Sequence, residues 1–96
     1  MPYWSRISED HLRSMAGQLI TAGHLPLMIA RNVTAGDGSG EHCKLCDQPV
    51  GPQRLAYEVS DIRDGGLLVF HIICHSAWQH ECVRRMSDPQ PPLLMS

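Results

Sequence analysis

The sequence predicts an α+β fold in which an amphipathic helix precedes a β-hairpin that leads directly into a C-terminal helix. Three observations carry this prediction: apolar residues at helical spacing near the N-terminus, alternating apolar residues on both sides of an Asp64-Gly65 turn, and renewed helical spacing after residue 71. The 96 residues are 43% apolar and 19% charged, which is a globular composition. This length accommodates one domain with short appendages.

The first helix is predicted over residues 9–22, within an N-terminal helical segment, residues 1–33. Ser8 is a favourable N-cap, and the acidic Glu9 and Asp10 fall in the first turn, where the helix dipole favours them. The apolar residues that recur on one face are Leu12, Met15, Ala16, Leu19 and Ile20. We expect this stripe to pack on the hairpin or to pair with its copy in a homodimer through the N-terminal helix.

Two segments follow that periodicity does not assign to a helix. Residues 25–30 are apolar, but they are too few to distinguish a brief helix from an extended segment. Residues 34–42 contain glycine at positions 36, 38 and 40 and are predicted to form a Gly-rich linker.

The hairpin and the second helix belong to a predicted unit that spans residues 43–86. Apolar and polar residues alternate over 54–62, and residues 67–71 are the returning strand. Asp61 and Arg63 at the turn are expected to be solvated. The helical pattern from residue 72 stops near a proline at position 89, so residues 87–96 are predicted to be a flexible tail.

Two pairs of potential metal ligands lie at the ends of this unit. Cys43 and Cys46 precede the hairpin, and His71 and Cys74 lie where the second strand enters the helix. Twenty-four residues separate Cys46 from His71. Residues at i and i+3 of a helix face the same way, and the hairpin brings the two pairs together. Zinc prefers four nitrogen and sulfur ligands in a tetrahedron. The spacing therefore predicts a structural Zn²⁺ site formed by Cys43, Cys46, His71 and Cys74.

Some alternatives remain open at this point. His75 lies four residues from His71 and could replace either His71 or Cys74 as a ligand. Cys82 lies eight residues beyond Cys74, about 12 Å along a helix, so we expect it to be a small buried side chain. Four unrelated thiols are less favoured, because the candidate ligands fall in two pairs at matched spacing. A redox pair is also less favoured, because a turn rather than a helix follows Cys46.

The ligand pattern resembles that of a treble-clef zinc finger and is similar to the first finger of a LIM domain. A second finger is absent from the sequence, and the 24-residue gap is long for a LIM finger. The wider sequence resembles small bacterial proteins that carry a single LIM-like finger, through residues 23–26, Tyr57-Glu58-Val59 and residues 70–78. Knuckles of this type often carry glycine where Asp47 stands. The resemblance implies metal binding and contact with other proteins.

Composition narrows the predicted function. The net charge of −2 and pI near 6.3 disfavour sequence-independent nucleic-acid binding. The sequence has no apolar run of membrane-spanning length and no signal-peptide pattern, so we expect a cytoplasmic protein without a membrane partner. We predict a zinc-stabilised interaction module for a protein partner, and not an enzyme, because a closed Cys3His site leaves no position for water. The alternative is a small zinc-finger nucleic-acid-binding regulator.

Overall fold

The computed structural model describes residues 8–87 of the chain, and the predictions for residues 1–7 and 88–96 lie outside this range. Two helices and three strands occur in the order α1 (Glu9–Thr21), β1 (Thr34–Asp37), β2 (Leu55–Ser60), β3 (Leu67–His71) and α2 (Ile72–Ser87). The strands form one antiparallel sheet in the order β1-β2-β3. The predicted α+β arrangement of a hairpin that leads into a helix is confirmed. Within the described range, neither helix is long and apolar enough to cross a membrane.

Helix α1 begins and ends as its sequence predicts. The Ser8 hydroxyl accepts a hydrogen bond from the backbone N–H of His11 at 3.1 Å, which caps the first turn. Gly23, two residues after the last helical residue, has a φ of +85°. The buried residues Leu12 and Ala16 face α2 rather than the hairpin, because α1 packs along that helix. Leu12 and Ala16 of the apolar stripe are thus buried within the same chain, and Met15, Leu19 and Ile20 are partly buried.

The prediction of a linker over residues 34–42 is wrong for its first half, because Thr34–Asp37 form strand β1. Thr34 pairs with Glu58 and Asp37 with Leu55, so the strand depends on partners about twenty residues away. Glycine at position 38 serves close packing, since a Cβ there would collide with the carbonyl oxygens of Val50 and Gly51. Of the three glycines, Gly38 is therefore required by a close backbone approach, whereas Gly40 has a positive φ of +86°.

The hairpin turn is tied to the end of α1 by the partly exposed Arg63, which also pairs with the buried Asp61. Asp61 is only 5% exposed and accepts hydrogen bonds from the Arg63 guanidinium, the shortest at 2.7 Å. A further Arg63 N–H donates to the carbonyl oxygen of Gly23 at 2.7 Å. The arginine lowers the pKa of Asp61 by hydrogen bonding to its carboxylate. The expectation of a solvated turn is therefore wrong for Asp61.

The centre of the core is a stacked pair of rings, Phe70 on β3 and Trp78 on α2, with centroids 4.8 Å apart. The Trp78 indole N–H donates to the Pro26 carbonyl at 3.1 Å. Gln79 holds the same segment through its side-chain amide, which donates to Met28 at 3.0 Å and accepts from Ala30 at 2.9 Å. Residues 25–30 are therefore irregular in conformation and held along α2 by its side chains.

A buried carboxylate joins the two helices. Glu81 is 6% exposed and accepts hydrogen bonds from Arg84 at 2.6 Å and from Arg85 at 2.9 Å. Arg85 also donates to the Gly17 carbonyl of α1 at 3.0 Å. Hydrogen bonds from Arg84 and then Arg85 lower the pKa of Glu81 from 4.5 to about 2. The folded state thus favours the ionised carboxylate.

We expect Glu81→Gln to lower the free energy of unfolding by about 1–3 kcal/mol at pH 7, because it removes the buried charge that both arginines bind. The arginines are partly exposed and regain water, which limits the loss. The folded pKa lies below the unfolded value, so this contribution is complete above about pH 5 and is lost as the pH falls towards 2. Chemical denaturation of both proteins between pH 7 and pH 3 measures the difference.

Exposed Glu41→Gln is the matched control, and its stability is expected to follow the wild type at every pH. Taking the difference between two variants removes pH effects that arise elsewhere in the chain. A gap between wild type and Glu81→Gln that stays constant from pH 7 to pH 3 would contradict the assignment.

Candidate metal centre

The structure brings together the four residues that the sequence singles out. One ligand atom each from Cys43, Cys46, His71 and Cys74 lies within 4.8 Å of every other, and all four residues are buried. They come from two places, a short loop before β2 and the junction of β3 with α2. Among residues 8–87, no other group of three or more Cys, His, Asp or Glu side chains lies close enough together to hold a metal ion.

The loop that carries the two cysteines is a tight knuckle. The N–H of Cys43 donates to the Gln48 carbonyl, and the N–H of Asp47 donates to the Cys43 carbonyl, each at 2.9 Å. Asp47 has a φ of +62°, the left-handed conformation that favours glycine and that Asp tolerates better than most residues. The Leu45 N–H lies 3.4 Å from the Cys43 sulfur and donates to it. The fold thus supplies a backbone donor that stabilises a thiolate.

The knuckle is also fixed to the sheet. The Lys44 N–H donates to the Val69 carbonyl of β3 at 2.8 Å, and His42 forms a β-bridge with Pro49 across the base of the loop. The His42 ring is exposed and lies 3.3 Å from Asp47. These contacts hold the two sulfurs against β3.

His71 presents one particular nitrogen to the cysteines. Its Nε2 lies 3.3 Å from the carbonyl oxygen of Pro49, and a carbonyl can only accept, so Nε2 carries the hydrogen. Nδ1 lies 3.4 Å from the Cys46 sulfur and 3.9 Å from the Cys74 sulfur. The Pro49 carbonyl therefore orients the ring so that Nδ1 faces the three thiols. Sequence reasoning missed Pro49, since a backbone carbonyl leaves no signature in residue type.

The donor set and its spacing fit zinc. Three cysteines and one histidine form a closed tetrahedral set, and ligands at 2.0–2.3 Å from such an ion lie about 3.3–3.8 Å apart. Separations of up to 4.8 Å need only small side-chain shifts to reach that arrangement. Cys74 also lies in the first turn of α2, where the helix dipole stabilises a thiolate.

The pKa values of residues in the cluster shift in different directions. Hydrogen bonds from Cys46 and Cys74 lower the pKa of Cys43, whereas the pKa of Cys74 rises because of Cys43 and Cys46. Hydrogen bonding to Cys43, and next to Cys46, raises the pKa of His71 to about 10. Three adjacent thiols cannot all ionise unless a cation balances them. The chemistry of the cluster therefore favours binding of a divalent metal with release of protons.

The two other candidate ligands, His75 and Cys82, lie outside this cluster. The ring of His75 is edge-on to Tyr57, with centroids 5.0 Å apart, and it also contacts Phe70 and Trp78. Its Nε2 is buried without a hydrogen-bond partner in the described chain. Cys82 is fully buried, and its thiol lies 3.8 Å from the Pro26 carbonyl. Burial raises the pKa of the Cys82 thiol, as expected for an unreactive side chain.

Comparison with known proteins assigns no family. No protein-family model, curated protein or solved structure matches the chain. The similarity to LIM fingers therefore stays a prediction, and the metal site is argued from the geometry of this chain alone.

We expect His75→Phe to retain full metal content and to raise the free energy of unfolding by about 1 kcal/mol. Burial lowers the pKa of His75, so the ring is neutral at pH 7, and its unpaired Nε2 costs free energy that an all-carbon ring does not. Elemental analysis and chemical denaturation measure the two effects. His71→Phe is the matched variant and should lose the metal; metal loss from the His75 variant instead would make His75 a ligand.

We also expect His71 to coordinate through Nδ1. Two-bond ¹H–¹⁵N correlation spectra of the zinc-loaded protein should show Nδ1 shifted as a metal ligand and Nε2 bearing a hydrogen. This follows from the Pro49 carbonyl, which leaves only Nδ1 free to face the sulfurs. A spectrum in which Nε2 is metal-bound would require the ring to have turned and would contradict the geometry.

Proposed function

We propose that this chain is a structural zinc-binding module that presents a surface to a protein partner. The observation that carries the proposal is the buried quartet of Cys43, Cys46, His71 and Cys74, with ligand atoms within 4.8 Å of one another. Two of these residues come from an irregular loop and two from the strand–helix junction. A metal bound there crosslinks two elements of a small fold, which is the usual role of structural zinc.

The order of elements around the quartet supports a treble-clef-like, LIM-like finger. A cysteine knuckle precedes the β2–β3 hairpin, and the second ligand pair lies at the end of β3 and in the first turn of α2. Asp47 takes the left-handed conformation at the position after the second cysteine. These features match the arrangement that the ligand spacing indicates.

A structural role is favoured over a catalytic one by the ligand set. Four protein ligands fill a tetrahedral ion, so no coordination position is left for water or substrate. All four residues are buried, at 7% exposure or less, so a substrate has little access to them. We therefore propose that the zinc serves stability and positioning.

A protein partner is better supported than a nucleic acid. Helix α2 carries Arg84 and Arg85, but both donate hydrogen bonds to Glu81, whose carboxylate offsets one of their two positive charges. By contrast, several large apolar side chains are exposed on the described surface: Leu27, Ile29, Leu55, Ile62, Leu67, Ile72, Val83 and Met86. Exposed apolar side chains suit contact with protein rather than with phosphate.

The test is metal content together with stability. We expect one zinc ion per chain by elemental analysis of protein purified without added metal. Cys43→Ser or chelation should remove the ion, unfold residues 43–86 and lower the free energy of unfolding by more than about 4 kcal/mol, because the crosslink between knuckle and junction is lost. Near-UV circular dichroism and denaturant melts measure the unfolding.

Cys82→Ala is the matched control, because Cys82 is an equally buried thiol outside the quartet. It should keep the full zinc content and lose only the small amount of stability that a truncated side chain costs, about 1 kcal/mol. Full near-UV signal and unchanged stability after complete metal removal would contradict the proposal.

A further inference from the structure

One edge of the segment over residues 26–30 is bound and the other is open. The carbonyls of Pro26 and Met28 accept hydrogen bonds from Trp78 and Gln79 of α2, at 3.1 and 3.0 Å. The Ala30 N–H donates to Gln79 at 2.9 Å. Within residues 8–87, the backbone groups of the intervening Leu27 and Ile29 make no hydrogen bond.

The side chains of this segment alternate as they do in a β-strand. Pro26 is buried and Met28 and Ala30 are partly buried, whereas Leu27, Ile29 and Arg31 are exposed. In an extended chain, alternate residues direct their backbone groups to opposite edges. Pro26, Met28 and Ala30 bond to α2, and the N–H and carbonyl groups of Leu27 and Ile29 are left unpaired within residues 8–87.

Further apolar side chains are exposed on α2. Val83 and Met86 lie one helical turn beyond Gln79 and Cys82, the residues that contact the segment. Leu27, Ile29, Val83 and Met86 are 43–54% exposed. We call the surface formed by residues 27–31, Val83 and Met86 the open edge.

We propose that the open edge binds an extended peptide segment of a partner protein, which adds to residues 27–31 as a β-strand. The backbone groups of Leu27 and Ile29 would supply the hydrogen bonds, and the apolar side chains would contact alternate residues of the peptide. Arg31 is exposed and makes no ion pair within residues 8–87, so an acidic residue of the peptide would pair with it. This inference rests on the proposed function in one respect: it names the surface that the proposed protein partner contacts.

The small area favours a peptide over a second copy of this chain. The exposed parts of the four apolar side chains amount to roughly 300–400 Å², at most half of the about 800 Å² that each partner of a standard interface buries. A stable dimer through this surface alone would lack the necessary area. A single added strand gains its affinity from backbone hydrogen bonds and a few side chains, and it suits a patch of this size.

The test is a titration of the full-length, zinc-loaded, ¹⁵N-labelled protein with a capped hexapeptide, Asp-Val-Thr-Val-Thr-Asp, whose acidic ends suit either strand direction. We expect amide shift changes centred on residues 27–31, with a dissociation constant on the order of 0.1–1 mM. A copy of the peptide with N-methylated internal amides should not bind, because it cannot form strand hydrogen bonds. A copy with lysine at both ends should bind at least tenfold more weakly.

Ile29→Asp should weaken binding at least tenfold, whereas the matched variant Ile62→Asp, at a turn residue that is 73% exposed, should leave it unchanged. Zinc content is measured on every variant. Full zinc without peptide binding overturns only this inference, and peptide binding without zinc overturns only the proposed zinc module.

Four results would overturn the inference. These are no shift changes at millimolar peptide, shifts centred away from residues 27–31, changes that depend on protein concentration alone and thus indicate a second copy, and peptide binding seen only after residues 88–96 are deleted. The last result would mean that the chain's own C-terminal end covers the open edge.

Discussion

The direct passage from β3 into α2 is the constraint on which the rest of the structure depends. His71 is the last residue of the strand and Ile72 the first of the helix, so no loop lets the helix change its direction relative to the sheet. Cys74 lies in the first turn of the helix, and its sulfur is therefore held 3.9 Å from Nδ1 of His71. One turn further, Trp78 stacks on Phe70. A single junction thus positions the metal ligands and the centre of the core.

Around this junction, the cysteines contribute to the core in two different ways. Cys82 fills space as a small apolar side chain, and its removal would cost only packing. Cys43, Cys46 and Cys74 are also buried, but hydrogen bonding among their thiols lowers the pKa of Cys43 and raises the pKa of Cys74. A bound cation would convert this unfavourable concentration of ionisable groups into a crosslink between the knuckle and the junction.

The parts of the fold that the sequence predicts are those with a local apolar pattern. Helix α1, the hairpin and α2 each have a periodic face, and each pair of candidate ligands has a recognisable spacing, so these elements and the quartet follow from neighbouring residues. Strand β1 lacks such a pattern, because Thr34–Asp37 form a strand only through pairing with β2. The contact of Arg63 with the Gly23 carbonyl and that of His71 with the Pro49 carbonyl likewise join residues that are remote in sequence.

The open edge also has no local pattern in the sequence, and it shares helix α2 with the metal centre. Residues 26–30 are held by Trp78 and Gln79, about fifty residues away, and periodicity does not show this. Both side chains project from the helix whose first turn carries Cys74. If zinc holds that turn against the knuckle, loss of the ion loosens the helix that supports the open edge. Partner binding and metal binding would then be coupled through α2, although none of the four ligands lies in the open edge.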